Sequence, residues 1–64
     1  MPRFTLHEAR APHRRLVEVE ATADPQDEEE CVALLRRLAR QHRRKPADVI
    51  LRWSEGRRVR EYHD

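Results

Sequence analysis

Cys31 is the only thiol in the 64-residue chain and so its one candidate for thiolate chemistry. A reactive cysteine needs a lowered pKa, supplied by cationic neighbours or by a place in the first turn of a helix. Cys31 instead follows Glu28, Glu29 and Glu30, whose charges favour the neutral thiol, and it is read as a buried structural residue. With no second cysteine, no disulfide can form within the chain. The nitrogen ligands open to a metal are His7, His13, His42 and His63. Metal ligands must gather within about 2 Å of one ion. Cys31 and His42 share a face of the helix predicted below, but they stand roughly 16 Å apart along its axis at about 1.5 Å per residue. His7, His13 and His63 have no ligand spacing and are expected to be solvated or half-buried, with His42 at the edge of the core.

Other templates for catalysis are equally bare. One glycine, Gly56, allows no phosphate-cradling loop, and one serine, Ser54, stands in no nucleophile setting. Asp27, Glu28, Glu29 and Glu30 resemble paired acids, but at the start of a helix they complement its macrodipole. The expectation is a protein that is not an enzyme and carries no cofactor or metal. The basic residues are the sharpest remaining signal. Arg36, Arg37, Arg40, Arg43, Arg44 and Lys45 belong to the helix, and Arg52, Arg57, Arg58 and Arg60 to the last hairpin. Guanidinium groups are multidentate donors suited to a phosphate backbone or an acidic partner. No helix-turn-helix, zinc-finger or ribonucleoprotein motif accompanies them, and Trp53 alternates with Val49 and Leu51 as a core residue would rather than as a base-stacking platform.

The elements that position these residues follow from periodicity. Phe4-Thr5-Leu6-His7-Glu8 alternates as a half-buried strand, ending before Ala11-Pro12-His13. Leu16 to Ala21 alternates more strictly, with Val17 and Val19 toward the core and Glu18 and Glu20 away from it. The short connection predicts an antiparallel hairpin. Asp24-Pro25 is a helix start, with Asp24 as cap and proline at the first helical position. From about Pro25 to about Lys45, Cys31, Leu34, Leu35, Leu38 and His42 recur at helical spacing, flanked by Val32 and Ala39. Pro46 disfavours continuation.

Val49 to Trp53 then reads as a strand, turned at Gly56 into a last strand from about Arg57 to His63. A three-residue loop pairs Leu51 with Val59 and gathers Val49, Leu51, Trp53 and Val59 on one face. A two-residue Glu55-Gly56 loop would turn arginines to the core, so burial selects the longer loop. The fold class is α+β, a single β-β-α-β-β domain over residues 1–64 with one amphipathic helix on one face of a mostly antiparallel sheet. This order resembles that of β-grasp (ubiquitin-like) domains in topology alone, with no motif to carry a function across.

One helix covers one side of such a sheet. The other side is expected to show Ile50, Arg52, Arg58, Arg60 and Tyr62, with Ile50 and Tyr62 as the apolar members of a protein interface. A chain this short buries only about 60% of its unfolded surface, and small scaffolds usually draw stability from a disulfide, a metal or a partner. Net charge is +2, yet residues 18–30 carry −7 and the rest +9. A molecule polarised in this way can pair with itself or meet a polyanion. No run of apolar residues reads as a signal or a membrane span, and the expected place is the cytoplasm. The function expected from these features is that of a small accessory or regulatory module binding another protein, a second copy in a homodimer included. The alternative is a nucleic-acid-binding protein using the basic helix face and C-terminal hairpin.

Overall fold

The computed structural model describes residues 1–64. Its elements are β1 (Arg3–Glu8), β2 (Ala11–Glu20), α1 (Glu28–Gln41), a 3₁₀ turn (Pro46–Asp48), β3 (Val49–Glu55) and β4 (Arg58–Tyr62). One four-stranded sheet has the order β2-β1-β3-β4, and all three neighbouring pairs are antiparallel. Two hairpins are thus joined through β1 and β3, and the helix packs on one face, as the α+β reading expects.

The core forms where strand alternation meets the helical stripe. Phe4 and Leu6 of β1 sit between Val19 and Trp53 and between Val17 and Leu51. Above them lie Cys31, Leu34, Leu35, Leu38 and Ala39 of α1, all buried, with Val49 and Tyr62 completing the cluster. Burying a leucine side chain contributes roughly 1.5–3 kcal/mol, so the three helical leucines fix the helix to the sheet. The helix lies chiefly over β3 and β4. Leu16, Val17 and Val19 of β2 reach the border of the core and remain half-buried.

Both helix ends fall inside the predicted span of about 25–45. At the start, Asp24 caps a preceding turn instead: its Oδ1 accepts from the Gln26 amide, and its carbonyl accepts from the Asp27 amide. Asp27 is the helix cap, its side chain accepting from the Glu30 amide at 3.2 Å, while the Glu30 carboxylate reaches back to the Asp24 amide at 2.8 Å. At the other end the Arg43 amide donates to Arg40 and the Arg44 amide to Ala39. These two bonds are those of a Schellman closure. Arg43 occupies its left-handed position at φ 56°, the only non-glycine residue with positive φ. The helix therefore stops well before Pro46, and His42 is exposed at its C-cap rather than at the core edge.

The last hairpin corrects the predicted register. Glu55 pairs with Arg58 across a two-residue Gly56-Arg57 loop, so Leu51 lies opposite Tyr62 and Trp53 opposite Arg60. Gly56 has φ 60° and Arg57 does not have positive φ, the requirement of a II′ hairpin turn with glycine first. Val59, expected in the core, is 60% exposed, whereas Tyr62, expected on the open face, is 2% exposed in the core.

Candidate interaction surfaces

The buried chemistry centres on Tyr62 and Cys31. The Tyr62 hydroxyl donates to the Pro25 carbonyl at 2.5 Å, and the Cys31 thiol donates to the Asp24 carbonyl at 3.2 Å. Burial pushes the phenol up to about 12, with Cys31 adding to the effect. Burial also raises the Cys31 pKa, and Asp24, Asp27 and Glu30 act in the same direction. Two protonated side chains thus hold the chain segment before the helix, Cys31 tying it to the helix and Tyr62 to the last strand. Neither presents a nucleophile to solvent.

His7 is the one polar residue in the buried set. It stands on the sheet face away from the helix, opposite Arg15 and Ile50, with Nε2 2.7 Å from the Thr5 hydroxyl and Nδ1 buried without a partner. Burial lowers its pKa, and Arg52 lowers it further, so the neutral ring is the folded form. No group of three or more His, Cys, Asp or Glu side chains converges on a common point. The surface concavities are open depressions, such as the one between Pro2, Pro25, Trp53 and Arg58 at one end of the sheet.

The open sheet face differs from its expected composition. Tyr62 belongs to the opposite, helix-covered side, and Ile50 is only 7% exposed. Arg60, opposite Trp53, also stands on the helix side. Its guanidinium runs past the core to donate to Gln26 Oε1 at 2.8 Å and lies 5.9 Å from the Tyr62 ring centroid. Arg58 opposes Glu55 at the end of the same hairpin. The open face is instead a field of ion pairs. Arg3 meets Glu18 at 3.9 Å and Glu20 at 3.2 Å, and Arg52 donates through both Nε and Nη2 to Glu61. Ile50 and Tyr62 therefore form no exposed apolar patch there.

The basic residues divide into two groups. Arg36 is paired with Asp64 at 2.5 Å, Arg44 with Glu8 at 2.5 Å and Arg52 with Glu61 at 2.7 Å. Arg37, Arg40, Arg43 and Lys45 are exposed and make no ion pair within the chain. Arg10, in the turn after β1, lies beside Arg44 at the same end of the molecule. Helix direction thus produces a basic pole at its C-terminal end, and the acids of the first turn mark the opposite one.

A further surface was not singled out by side-chain type, because it is made of backbone. β2 and β4 are the two edges of the sheet. β4 has five residues, with Arg58 and Arg60 on it and Arg57 just before it, a short and positively charged edge of the kind that resists pairing. β2 has ten residues. The Ala21 amide donates to the Pro2 carbonyl at 3.1 Å. Hydrogen-bonded and non-hydrogen-bonded pairs alternate in an antiparallel ladder. The bond therefore fixes Val19 and Val17 as residues whose backbone groups point to β1, and leaves those of Glu18 and Glu20 pointing outward. The register shifts at Leu16, so that Arg15 opposes His7, and shifts again before Ala11, which opposes Glu8. His7 belongs to the set of β1 residues whose backbone groups face β3, and Arg15 consequently also turns its amide and carbonyl outward. The alternation of Val17 and Val19 was legible in the sequence. The bulge, and the outward set it creates, had no signal in residue type.

No helix of the fold is long and apolar enough to cross a membrane. Comparison of the chain with protein-family models, with curated proteins and with solved structures finds no match.

Proposed function

We propose that this chain is a non-enzymatic accessory module that works by protein–protein contact in the cytoplasm, with a second copy of itself as the partner its surface fits best. The observation that carries this reading is the long β2 edge. Its outward backbone groups are unpaired within the chain, and Leu16, Val17 and Val19 lie half-buried beside it where the helix no longer covers the sheet. From Arg15 to Glu20, beyond Pro12 and the second register shift, this edge is a template for another strand. Association that buries the border residues would also add the apolar burial that a 64-residue chain lacks. Sedimentation from tens to hundreds of micromolar tests the reading. A reversible dimer is expected, and a strict monomer across that range would sink self-association as the form of contact.

A second reading is favoured by a separate observation, the unpaired cations of the basic pole. Arg37, Arg40, Arg43 and Lys45 are free to meet a polyanion, whereas Arg36, Arg44 and Arg52 already hold carboxylates. Titration of duplex DNA and of RNA at about 50 mM and about 200 mM salt tests it, since each neutralised phosphate adds about 0.9 to the log–log salt slope for duplex DNA. Binding that weakens steeply with salt and is lost in Arg37→Gln/Arg40→Gln/Arg43→Gln supports nucleic-acid contact. Absence of binding at the lower salt removes it.

A further inference from the structure

We infer that two copies of this chain pair antiparallel through β2, about a two-fold axis at Leu16 and Val17, with Arg15 of one copy opposite Glu18 of the other. The inference rests on the protein-contact reading above and specifies its surface, partner and register.

Charge order along the strand is the first argument. β2 is basic in its first half, with Arg14 and Arg15, and acidic in its second, with Glu18 and Glu20. Antiparallel pairing of two such strands sets each basic half against an acidic half, so the edge is complementary to itself. Parallel pairing in register would place like charges side by side. Opposite charges directly across a ladder stabilise it, and like charges there oppose it. β4 fails the same test. It carries Arg58 and Arg60 against the single acid Glu61, and Arg58 and Glu61 stand on opposite faces of the sheet, so they cannot pair across an axis as Arg15 and Glu18 do.

Backbone direction is the second argument and it selects the register. Arg15 and Glu18 both turn their amide and carbonyl outward, as derived from the Ala21–Pro2 bond and the shift at Leu16. They can therefore exchange both bonds with each other across the axis, twice by symmetry. Side-chain direction agrees. Arg15 opposes His7 and Glu18 opposes Thr5, which puts both on the open face, where each Arg15 meets a Glu18 from the other copy. Leu16 and Val17 both pack against the core cluster on the helix side, so that in the pair Leu16 of each copy abuts Val17 of the other. Without the extra residue at Leu16, the faces of Arg15 and Glu18 would not match. The bulge makes the edge self-complementary on both faces at once.

The result would be a continuous eight-stranded sheet with both helices on the same face. Isologous contact of this kind closes after two copies, leaving the arginine-bearing β4 strands at its ends.

Charge reversal tests the inference. Arg15→Glu and Glu18→Arg, prepared separately, each face like charge across the axis, and each should weaken dimerisation by about tenfold or more in sedimentation equilibrium. Mixed one to one, the two variants should recover a heterodimer, and the double variant Arg15→Glu/Glu18→Arg should recover a homodimer. Glu18→Pro supplies a backbone test. It deletes an amide that points outward, so helical circular dichroism should persist while the dimer is lost. A wild-type dimer indifferent to both reversals and to Glu18→Pro would overturn β2 pairing while leaving protein contact in place. A wild-type chain that stays monomeric at hundreds of micromolar would overturn both.

Discussion

At the scale of single residues, two side chains carry consequences that can be measured. Arg43 is held in the left-handed region at φ 56° because the Schellman closure needs that conformation after the C-cap. A residue with a β-carbon is disfavoured there by roughly 1–2 kcal/mol, and glycine is the residue usually found in its place. Arg43→Gly should raise stability by about 1 kcal/mol, seen as a higher urea midpoint at unchanged m-value. An unchanged or lower midpoint would show that the arginine contributes more than its backbone costs. Tyr62 is the only tyrosine, so its titration can be followed directly by phenolate absorbance. Its pKa is pushed up to about 12 by burial and by Cys31, against about 10 in an unfolded chain. The folded state favours the neutral phenol. That contribution to stability is whole below about pH 10 and is lost as pH rises through about 12. The native absorbance midpoint should stand well above the midpoint in urea. Tyr62→Phe should abolish the transition and cost about 1 kcal/mol at neutral pH through the missing bond to Pro25. A native midpoint near 10 would contradict the buried placement.

At the scale of elements, the last hairpin shows what the sequence disclosed and what it hid. Trp53, Leu51 and Val49 were legible as core residues from alternation alone, and Cys31, Leu34, Leu35 and Leu38 from helical spacing. The pairing partner of Leu51 was not. Excluding arginine from the helix side favours Val59 opposite Leu51, but the edge position of β4 relaxes that rule. There a long side chain can lay its stem along apolar surface and keep its charged end in water, as Arg60 does on its way to Gln26. Once Arg60 is tolerated on that side, the two-residue turn at Gly56 and the burial of Tyr62 follow together. Val59→Lys tests the register. The side chain is 60% exposed on the open face, so stability should change by no more than about 0.5 kcal/mol, as read by chemical denaturation. A loss of several kcal/mol would restore Val59 to the core. The helix ends were hidden for a similar reason. Two Asp residues three positions apart both suit a cap, and only the turn at Pro25 decides for Asp27. No glycine announces the stop at Arg43.

At the scale of the whole molecule, charge and topology run along the same axis. The helix begins among acids beside β4 and ends among bases beside the turn after β1. The polarity read from the sequence is therefore a property of the folded shape. What composition could not reveal is how many of those charges are already satisfied. Pairs such as Arg36–Asp64 and Arg44–Glu8 join residues far apart in the chain, and only the fold brings them together. The candidate basic set contracts to its unpaired members for that reason. The proposed contact surface lies at the sheet's edge and not on its open face, because an edge is defined by strand order and not by residue type.

Strand order also governs how the molecule comes to exist in time. Each hairpin joins neighbouring strands and can close on the order of 1–10 μs. The β1–β3 seam, where Leu6 meets Leu51, can form only after the intervening chain, helix included, has been brought round. Closure of so long a loop is the slow entropic step of such a topology. Chevron analysis should therefore separate the molecule into two kinetic classes. Leu6→Ala and Leu51→Ala, at the seam, should slow folding, whereas Arg43→Gly should chiefly slow unfolding, since the helix stop tightens after the seam has formed. Equal φ-values at the seam and at Arg43 would refute that order of events. With the seam forming first, the rate at which this chain folds is set where Leu6 meets Leu51, two residues that no solvent touches.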